Sequence, residues 1–449
     1  MCSNIALPGL NVMGNALTAL MLFMVITSLL AIATRGRDIR VFGKRITFTI
    51  GGVLVFLGSE RKAKKIGGIE RRLAYLAISV LGLGMILFYT SFLPMIVDFI
   101  RKFILFSIGA INVRPQPPII PVPLLLQYTD VLIYIAVSIG IGVAAHEIMH
   151  AIIALKEGIH VKSWGFGILF LFPIAFVELD EESYRRAPPL TKLTVLCAGV
   201  LANAIIALGA ILGLLATSYY MHALSVEPAV VIDDIDCGIC KQALYADRNA
   251  TLINAMTMRS IDTCPAKLAG ISPGSIVVLV NGSAIHTIND LANIIRNSNL
   301  NSTLILRLCT SEGACRDVAI RFIYHIQLDE RLGRVAFYRV HNGNITPCIG
   351  VKLVQSKAVF NNGVAYIPPQ LWILETLQYY LSFLFMVNFS LYVLNSIPLL
   401  ITDGSRVLEV LSERSKLLSK MIKYRIVDLV NIVIIGTAII IATYVLLSR

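Results

Sequence analysis

The sequence predicts a multi-pass α-helical membrane protein of about six transmembrane helices. A membrane-associated β-hairpin or sheet and an extracytoplasmic α+β domain complete the expected fold. Three observations carry this. The 449-residue chain is 56% hydrophobic and only 15% charged, where soluble domains carry roughly a quarter charged residues. Its mean hydropathy is +0.76, and a surface that apolar needs lipid. Apolar stretches close to the roughly 20 residues that cross a bilayer recur along it. The net charge of +12 is spread over loops between those stretches, which speaks for membrane topology and against nucleic acid as a partner.

Taken in order, the spans are expected near 13–34, 73–98, 129–155, 190–219, 371–397 and 428–447. The first lacks a charged leading region and reads as a permanent span rather than a cleaved signal. Segment 103–113 is apolar but short; it either extends the second span or lies at the interface. The first loop carries Arg35, Arg37, Arg40, Lys44, Arg45, Arg61, Lys62, Lys64, Lys65, Arg71 and Arg72, and the last carries Arg406, Arg414, Lys416, Lys420, Lys423 and Arg425. Positive loops stay inside, so both are expected to be cytoplasmic and 220–370 extracytoplasmic. Four regions follow. Residues 1–72 hold the first span and a basic loop with strands, and 73–219 the first part of the transmembrane core. Residues 220–370 form the outer domain, and 371–449 the rest of the core.

The outer segment supports its placement. It holds six of the eight cysteines: Cys237, Cys240, Cys264, Cys309, Cys315 and Cys348. Outside the cell these can form disulfides. Sequons begin at Asn249, Asn281, Asn301 and Asn344, each also compatible with chance. The Cys237-Gly-Ile-Cys240 pair has metal binding or redox chemistry as its alternative, against which stands the lack of a second such pair.

The chemistry sits in the third span, which reads Ala145-His146-Glu147-Ile148-Met149-His150. Two His at i and i+4 on a helix project from one face and can share Zn²⁺, with the intervening Glu147 placed as general base. Two His and a Glu inside an apolar span are expensive and point to function. Zinc needs a third ligand. His160 is the nearest His, but the extended motif would require Gly and His where Ile153 and Lys156 stand. Asp403 is the better choice. It closes the run Asn395-Ser-Ile-Pro398-Leu-Leu-Ile-Thr-Asp403-Gly404, where Pro398 breaks the fifth span and Gly404 lets the chain turn. A helix-cap role for Asp403 is the alternative.

These motifs together resemble the site-2 protease family of intramembrane zinc metalloproteases. That family pairs HExxH in one span with an Asn-Pro-Asp-Gly pattern in a later one. Gly165-Phe166-Gly167 with Pro173–Val177, and Cys197-Ala-Gly199 with Asn203, are similar to its intervening segments. The resemblance implies one zinc held by His146, His150 and Asp403, with Glu147 as base. It also implies substrate or oxyanion contacts from Asn203 and Asn395, which can equally be interhelical hydrogen bonds. The implied reaction is cleavage of single-pass transmembrane substrates within the bilayer, toward its cytoplasmic side.

Segment 160–178 is apolar but too short to span, and Gly and Pro punctuate it. It reads as a re-entrant strand or hairpin beside the metal, tolerated only against protein or water. Gly165, Phe166 and Gly167 are its candidate clamp for an unwound substrate, by strand addition. The runs Ile39–Phe42, Ile46–Ile50 and Val53–Phe56 are expected in the same sheet. In the outer segment, Leu268–Ile285 resembles the central strand-turn-strand of a PDZ domain. A helix near 289–295 and strands at 303–308 and 318–322 follow it. That predicts binding of peptide ends, or a size filter. Two other readings are a silent relative that binds membrane partners and a transporter, which lacks a visible inverted repeat.

Overall fold

The structure is a computed structural model. It describes residues 8–61 apart from 36, 38, 42 and 43; 71–118; 129–246 apart from 170 and 171; 252–253; 264–361 apart from 329, 330, 342 and 343; and 363–447 apart from 401 and 413–424. Asn249 and the basic-loop residues Lys62, Lys64, Lys65, Arg414, Lys416, Lys420 and Lys423 lie outside the described residues. The chain forms two compact units, Met1–Leu214 with Tyr379–Arg449, and Leu215–Gln378.

In the first unit, five helices are long and apolar enough to cross a membrane. The first covers Arg71–Ser107 and is built from α2 (Arg71–Leu87), a π-helical turn (Phe88–Phe92) and α3 (Leu93–Ser107). The second span therefore does not end near 98; the helix continues into 103–107. Pro94, which can donate no helical hydrogen bond, directly follows the π-helical turn, where the helix is locally widened. The others are α4 (Thr129–Lys156), α6 (Pro189–Ala223), α9 (Pro369–Ser396) and α11 (Ile426–Leu447). The predicted first span falls on α1 (Pro8–Ala33), of which Met21–Ala33 registers as a shorter apolar helix. Two short helices complete the unit. They are α5 (Glu181–Arg186), capped by Asp180, whose side chain accepts from Ser183 N, and α10 (Asp403–Ser412).

Small residues let the long helices close on one another. The core joins Ala77 and Leu81 of α2, Leu196 and Val200 of α6, Tyr392 of α9 with Ile397 just past its end, and Ala438 and Ala442 of α11. A Cβ on Gly84 would meet Ser396 Oγ within covalent-like distance, so α2 and α9 touch there. Tyr392 Oη donates to the Val80 carbonyl at 2.9 Å, which satisfies a hydroxyl that lipid could not.

The five-stranded sheet of this unit runs β1 (Ile39–Val41), β2 (Lys44–Thr49), β3 (Gly52–Arg61), β4 (Val161–Leu169), β5 (Phe172–Leu179), all antiparallel. The first-loop runs and the segment after α4 do share one sheet, as expected. Gly165 and Gly167 explain how. A Cβ on either would lie 2.1 and 2.3 Å from the Val55 and Val53 carbonyls, so only glycine lets β3 approach β4 at these points.

The second unit has a sheet of order β12-β11-β9-β6-β16-β17, with β10 beside β9. Its strands are β6 (Val226–Ile235), β9 (Ile276–Val280), β10 (Ser283–Ala284), β11 (Thr303–Cys309), β12 (Cys315–Arg321), β16 (Val351–Asn361) and β17 (Val364–Tyr366). The β9–β10 turn places Asn281 and Gly282 at φ +48° and +82°, the left-handed pair that tight hairpins require. The helix α8 (Ile288–Arg296) starts with a capping box in which Thr287 and Asp290 satisfy each other's amides. A second sheet, β13-β14-β7-β8 with β15 on β14, holds Ile323–Leu328, Arg331–His341, Lys241–Ala246, Leu252–Ile253 and Asn344–Pro347. Disulfides join Cys237 to Cys264, Cys240 to Cys348 and Cys309 to Cys315. The two cysteines of the Cys-Gly-Ile-Cys run thus bond elsewhere, not to each other.

Candidate active site

The i, i+4 spacing on α4 brings His146 and His150 to one face, with ring centroids 4.6 Å apart. Asp403, first residue of α10, reaches the same point because the chain leaves α9 at Ser396 and turns back. His146 Nε2 lies 3.0 Å from Asp403 Oδ2, His150 Nε2 3.3 Å from it, and the two Nε2 atoms 3.0 Å from each other. All three residues are buried, at 7%, 9% and 7% exposure. Among the described residues this is the one cluster of three such groups whose ligand atoms converge.

The donor set fits a metal. Asp403 Oδ2 is buried, and no N–H or O–H points at it in hydrogen-bond geometry despite the two short nitrogen contacts. His150 Nδ1 lies 2.7 Å from the Val195 carbonyl. Since a carbonyl only accepts, the proton sits on Nδ1 and the Nε2 lone pair faces the cluster. The three ligand atoms form a near-equilateral triangle whose centre is about 1.8 Å from each corner. That spacing fits zinc's roughly 2.0–2.2 Å bonds to N and O, so these three residues would hold such an ion.

The opposite wall is α6. Val195, Gly199 and Asn203 recur every four residues and so share a face. Val195 holds the His150 ring. Asn203, fully buried, places Nδ2 3.1 Å from His146 Nδ1, while its Oδ1 has no partner. Turned over, the same amide would accept an Nδ1–H and leave His146 Nε2 its lone pair. Gly199 lies between; a Cβ there would stand 2.4 Å from His150 Nε2 and 2.6 Å from His146 Nε2.

Glu147 is half-buried on the adjoining face of α4. Its Oε2 accepts from Val177 N at 3.1 Å. Val177 lies on β5, which pairs on one side only, with β4. The free edge of β5 therefore faces the cluster. The predicted clamp residues Gly165, Phe166 and Gly167 occupy β4, which is paired on both sides and offers no edge. The glycines seat β3; the open strand is its neighbour. His160 stays out of the cluster: its carbonyl accepts from Asp180 N and its amide donates to Ser183 Oγ.

A cavity of about 760 Å³ opens onto the cluster. Asn395, predicted as a substrate contact, lines it together with Glu147 and Val177. Its mouth is charged, with Glu178, Glu181, Arg185, Lys192, Arg406 and Glu409. There Lys162 bonds Glu178 at 2.6 Å, and this contact holds the Glu178 carboxyl below the usual range. Sequence reasoning missed Val195 and, although it picked out Gly199 in the Cys197-Ala-Gly199 run, gave that glycine no role of its own. Their signal was the four-residue repeat through to Asn203, the lone amide on an otherwise apolar helix.

Known proteins resemble parts of this chain. A stretch of 72 residues is 35% identical to a membrane-bound transcription factor site-2 protease homolog of Arabidopsis thaliana, covering 16% of this chain and 14% of the relative. A stretch of 100 residues is 38% identical to an uncharacterized protein of Methanocaldococcus jannaschii, covering 22% of this chain and 27% of that one. The chain thus aligns with well under a third of the length of either relative. The model of peptidase family M50 matches residues 134–441, a stretch that begins before His146 and ends beyond Asp403. With its five long apolar helices the protein is a multi-pass membrane protein, and it belongs to peptidase family M50.

Proposed function

We propose that the chain is a zinc-dependent endopeptidase that hydrolyses peptide bonds within transmembrane helices of membrane-anchored substrates. The convergence of His146, His150 and Asp403 beside Glu147 is the observation that carries this. A zinc ion held by the three residues supplies Lewis acidity to the scissile carbonyl and to the attacking water. Glu147 Oε2 takes the proton of that water and returns it to the leaving amine. Its present partner, Val177 N, keeps the carboxylate turned toward the cavity. The charged mouth gives water its way in.

A substrate helix must unwind before its backbone is attacked, and its freed N–H and C=O groups then need partners. The open edge of β5 offers them by strand addition. Asn395 is placed to donate to the scissile carbonyl. Asn203 serves by holding the His146 ring. The basic loops and the three disulfides of the second unit support an extracytoplasmic site for residues 220–370 and α1 as a sixth span. The hairpin at Asn281-Gly282 followed by α8 supports the PDZ-like reading, in which this unit admits substrates already shortened outside.

The test is cleavage of labelled single-span helices by the purified protein in detergent. Activity should disappear in Glu147→Gln and on zinc chelation, while the variant keeps its zinc. A protein that never binds zinc would overturn the assignment and favour a binding scaffold.

A further inference from the structure

The last span buries polar side chains for which the reaction has no use. Asp428, in the first turn of α11, is 7% exposed. A carboxylate inside an apolar span is costly unless it has a task. Among the described residues no Lys, Arg or His pairs with it. Its Oδ1 accepts from Leu400 N at 3.2 Å and from Ser405 Oγ at 3.1 Å. Asn431, 2% exposed, stands one turn on and so shares the face. Its Nδ2 donates to the Pro398 carbonyl at 3.0 Å and to Tyr89 Oη at 2.9 Å. Tyr89 comes from the π-helical turn, a local widening of the kind that recurs at functional sites.

Every one of these contacts, except Tyr89, falls on the segment that delivers Asp403. Pro398 and Leu400 precede it and Ser405 follows it. Leu400 has φ +50°, a conformation a non-glycine residue keeps only when its surroundings enforce it. Its amide is the one that Asp428 grips. Thr402 Oγ1, which accepts from Leu399 N, tightens the same turn from within.

We propose that Asp428 and Asn431 are positioning residues for Asp403. One face of α11, braced by Tyr89, holds the Pro398–Ser405 turn in the strained form that aims the carboxylate at the two histidines. The inference rests on Asp403 being a metal ligand. A ligand delivered by a turn after a broken helix has other directions open to it. The clamp removes them before any metal arrives, so it acts on metal retention rather than on the attack itself.

The experiment measures zinc loss from the purified, zinc-loaded full chain in detergent after excess chelator is added. The visible spectrum of the cobalt-loaded protein is read alongside. Asp428→Ala should release zinc about 10–100-fold faster, the usual effect of removing an outer partner of a ligand, and should alter the cobalt bands. Asp428→Asn, which keeps an acceptor for Leu400 N, should restore most of the retention. Val445→Ala, a buried truncation farther along α11, controls for loss of fold. It should lower Tm and leave the release rate unchanged. Release from Asp428→Ala at the wild-type rate would overturn the clamp. So would Val445→Ala accelerating release as much at equal loss of Tm. Wild-type protein that takes up no zinc would sink the metal reading and the clamp with it, whereas firm binding by every variant sinks the clamp alone.

Discussion

Replacing Gly199 with alanine adds one methyl group to the protein and should remove its metal. The new Cβ would stand 2.4 Å from His150 Nε2 and 2.6 Å from His146 Nε2, where carbon contacts settle near about 3.5 Å. Something must move by about 1 Å. The rings cannot yield without leaving the Asp403 carboxylate, and a metal bond of roughly 2 Å does not stretch that far. Nor can α6 retreat freely, because it carries the Val195 carbonyl and Asn203 that hold both rings. Both escapes spoil the ligand set. A displacement of that size costs on the order of 10²-fold in rate, and overpacking adds roughly 1–3 kcal/mol of destabilisation. The sign is diagnostic. In an uncrowded helix interior, Gly→Ala should stabilise by about 1 kcal/mol. The assay pairs a competitive zinc titration with cleavage of a labelled helix and a melting curve. Gly199→Ala protein with wild-type zinc affinity and activity would refute the close approach of α6 to the histidines.

Other outcomes follow from the same geometry. Asp403→Ala should lose zinc measured by metal analysis while remaining folded, since it removes one of three ligands. Gly165→Val should detach β3 from β4, by roughly 1–3 kcal/mol of overpacking, read as faster amide exchange over residues 52–61 than in Phe166→Val, whose side chain is 51% exposed. Losing Cys240–Cys348 should cost more than losing Cys309–Cys315. The loops close over 108 and 6 residues, and chain entropy alone separates them by about 2.6 kcal/mol, measured as urea midpoints of protease resistance in Leu215–Gln378. The Lys162–Glu178 contact should be pH-sensitive in one direction. Glu178 is held below its ordinary range, so its contribution is present above that range and fades as pH falls through the lowered value, followed by hydrogen exchange across β4 and β5.

The convergence of His146, His150 and Asp403 was legible because it follows from local features. His146, Glu147 and His150 need only a helical period to be placed together, and Asp403 stood out as a carboxylate after a proline break. Five of the six expected spans were legible as long apolar helices because lipid admits a single simple pattern, while of the first only Met21–Ala33 registers, as a shorter apolar helix. What the sequence hid depends on contacts between distant segments. Val195 acts through a carbonyl, which no residue type advertises. Gly199 acts through an absence. Gly165-Phe166-Gly167 drew attention as a clamp, but its glycines answer to the approach of β3, and the open edge fell to β5 with no motif to mark it. Asp428 belongs to no motif, and its partners Leu400 and Ser405 come from a distant segment.

The pairing of β3 with β4 sets an order of events during synthesis. Arg61 lies opposite Val161 and Gly52 opposite Leu169, and the apolar helices α2–α3 and α4 are made between them. While those helices enter the bilayer, β3 waits with one edge unpaired, exposed to any other strand nearby. Only after β4 has emerged, and with it the histidine-bearing helix, can the sheet close. Closure joins β3 to the strand that follows α4 and draws a long loop shut at entropic cost. A nascent chain stalled before β4 lacks the β5 edge, and with Asp403 still unmade the three-residue cluster with His146 and His150 cannot yet form.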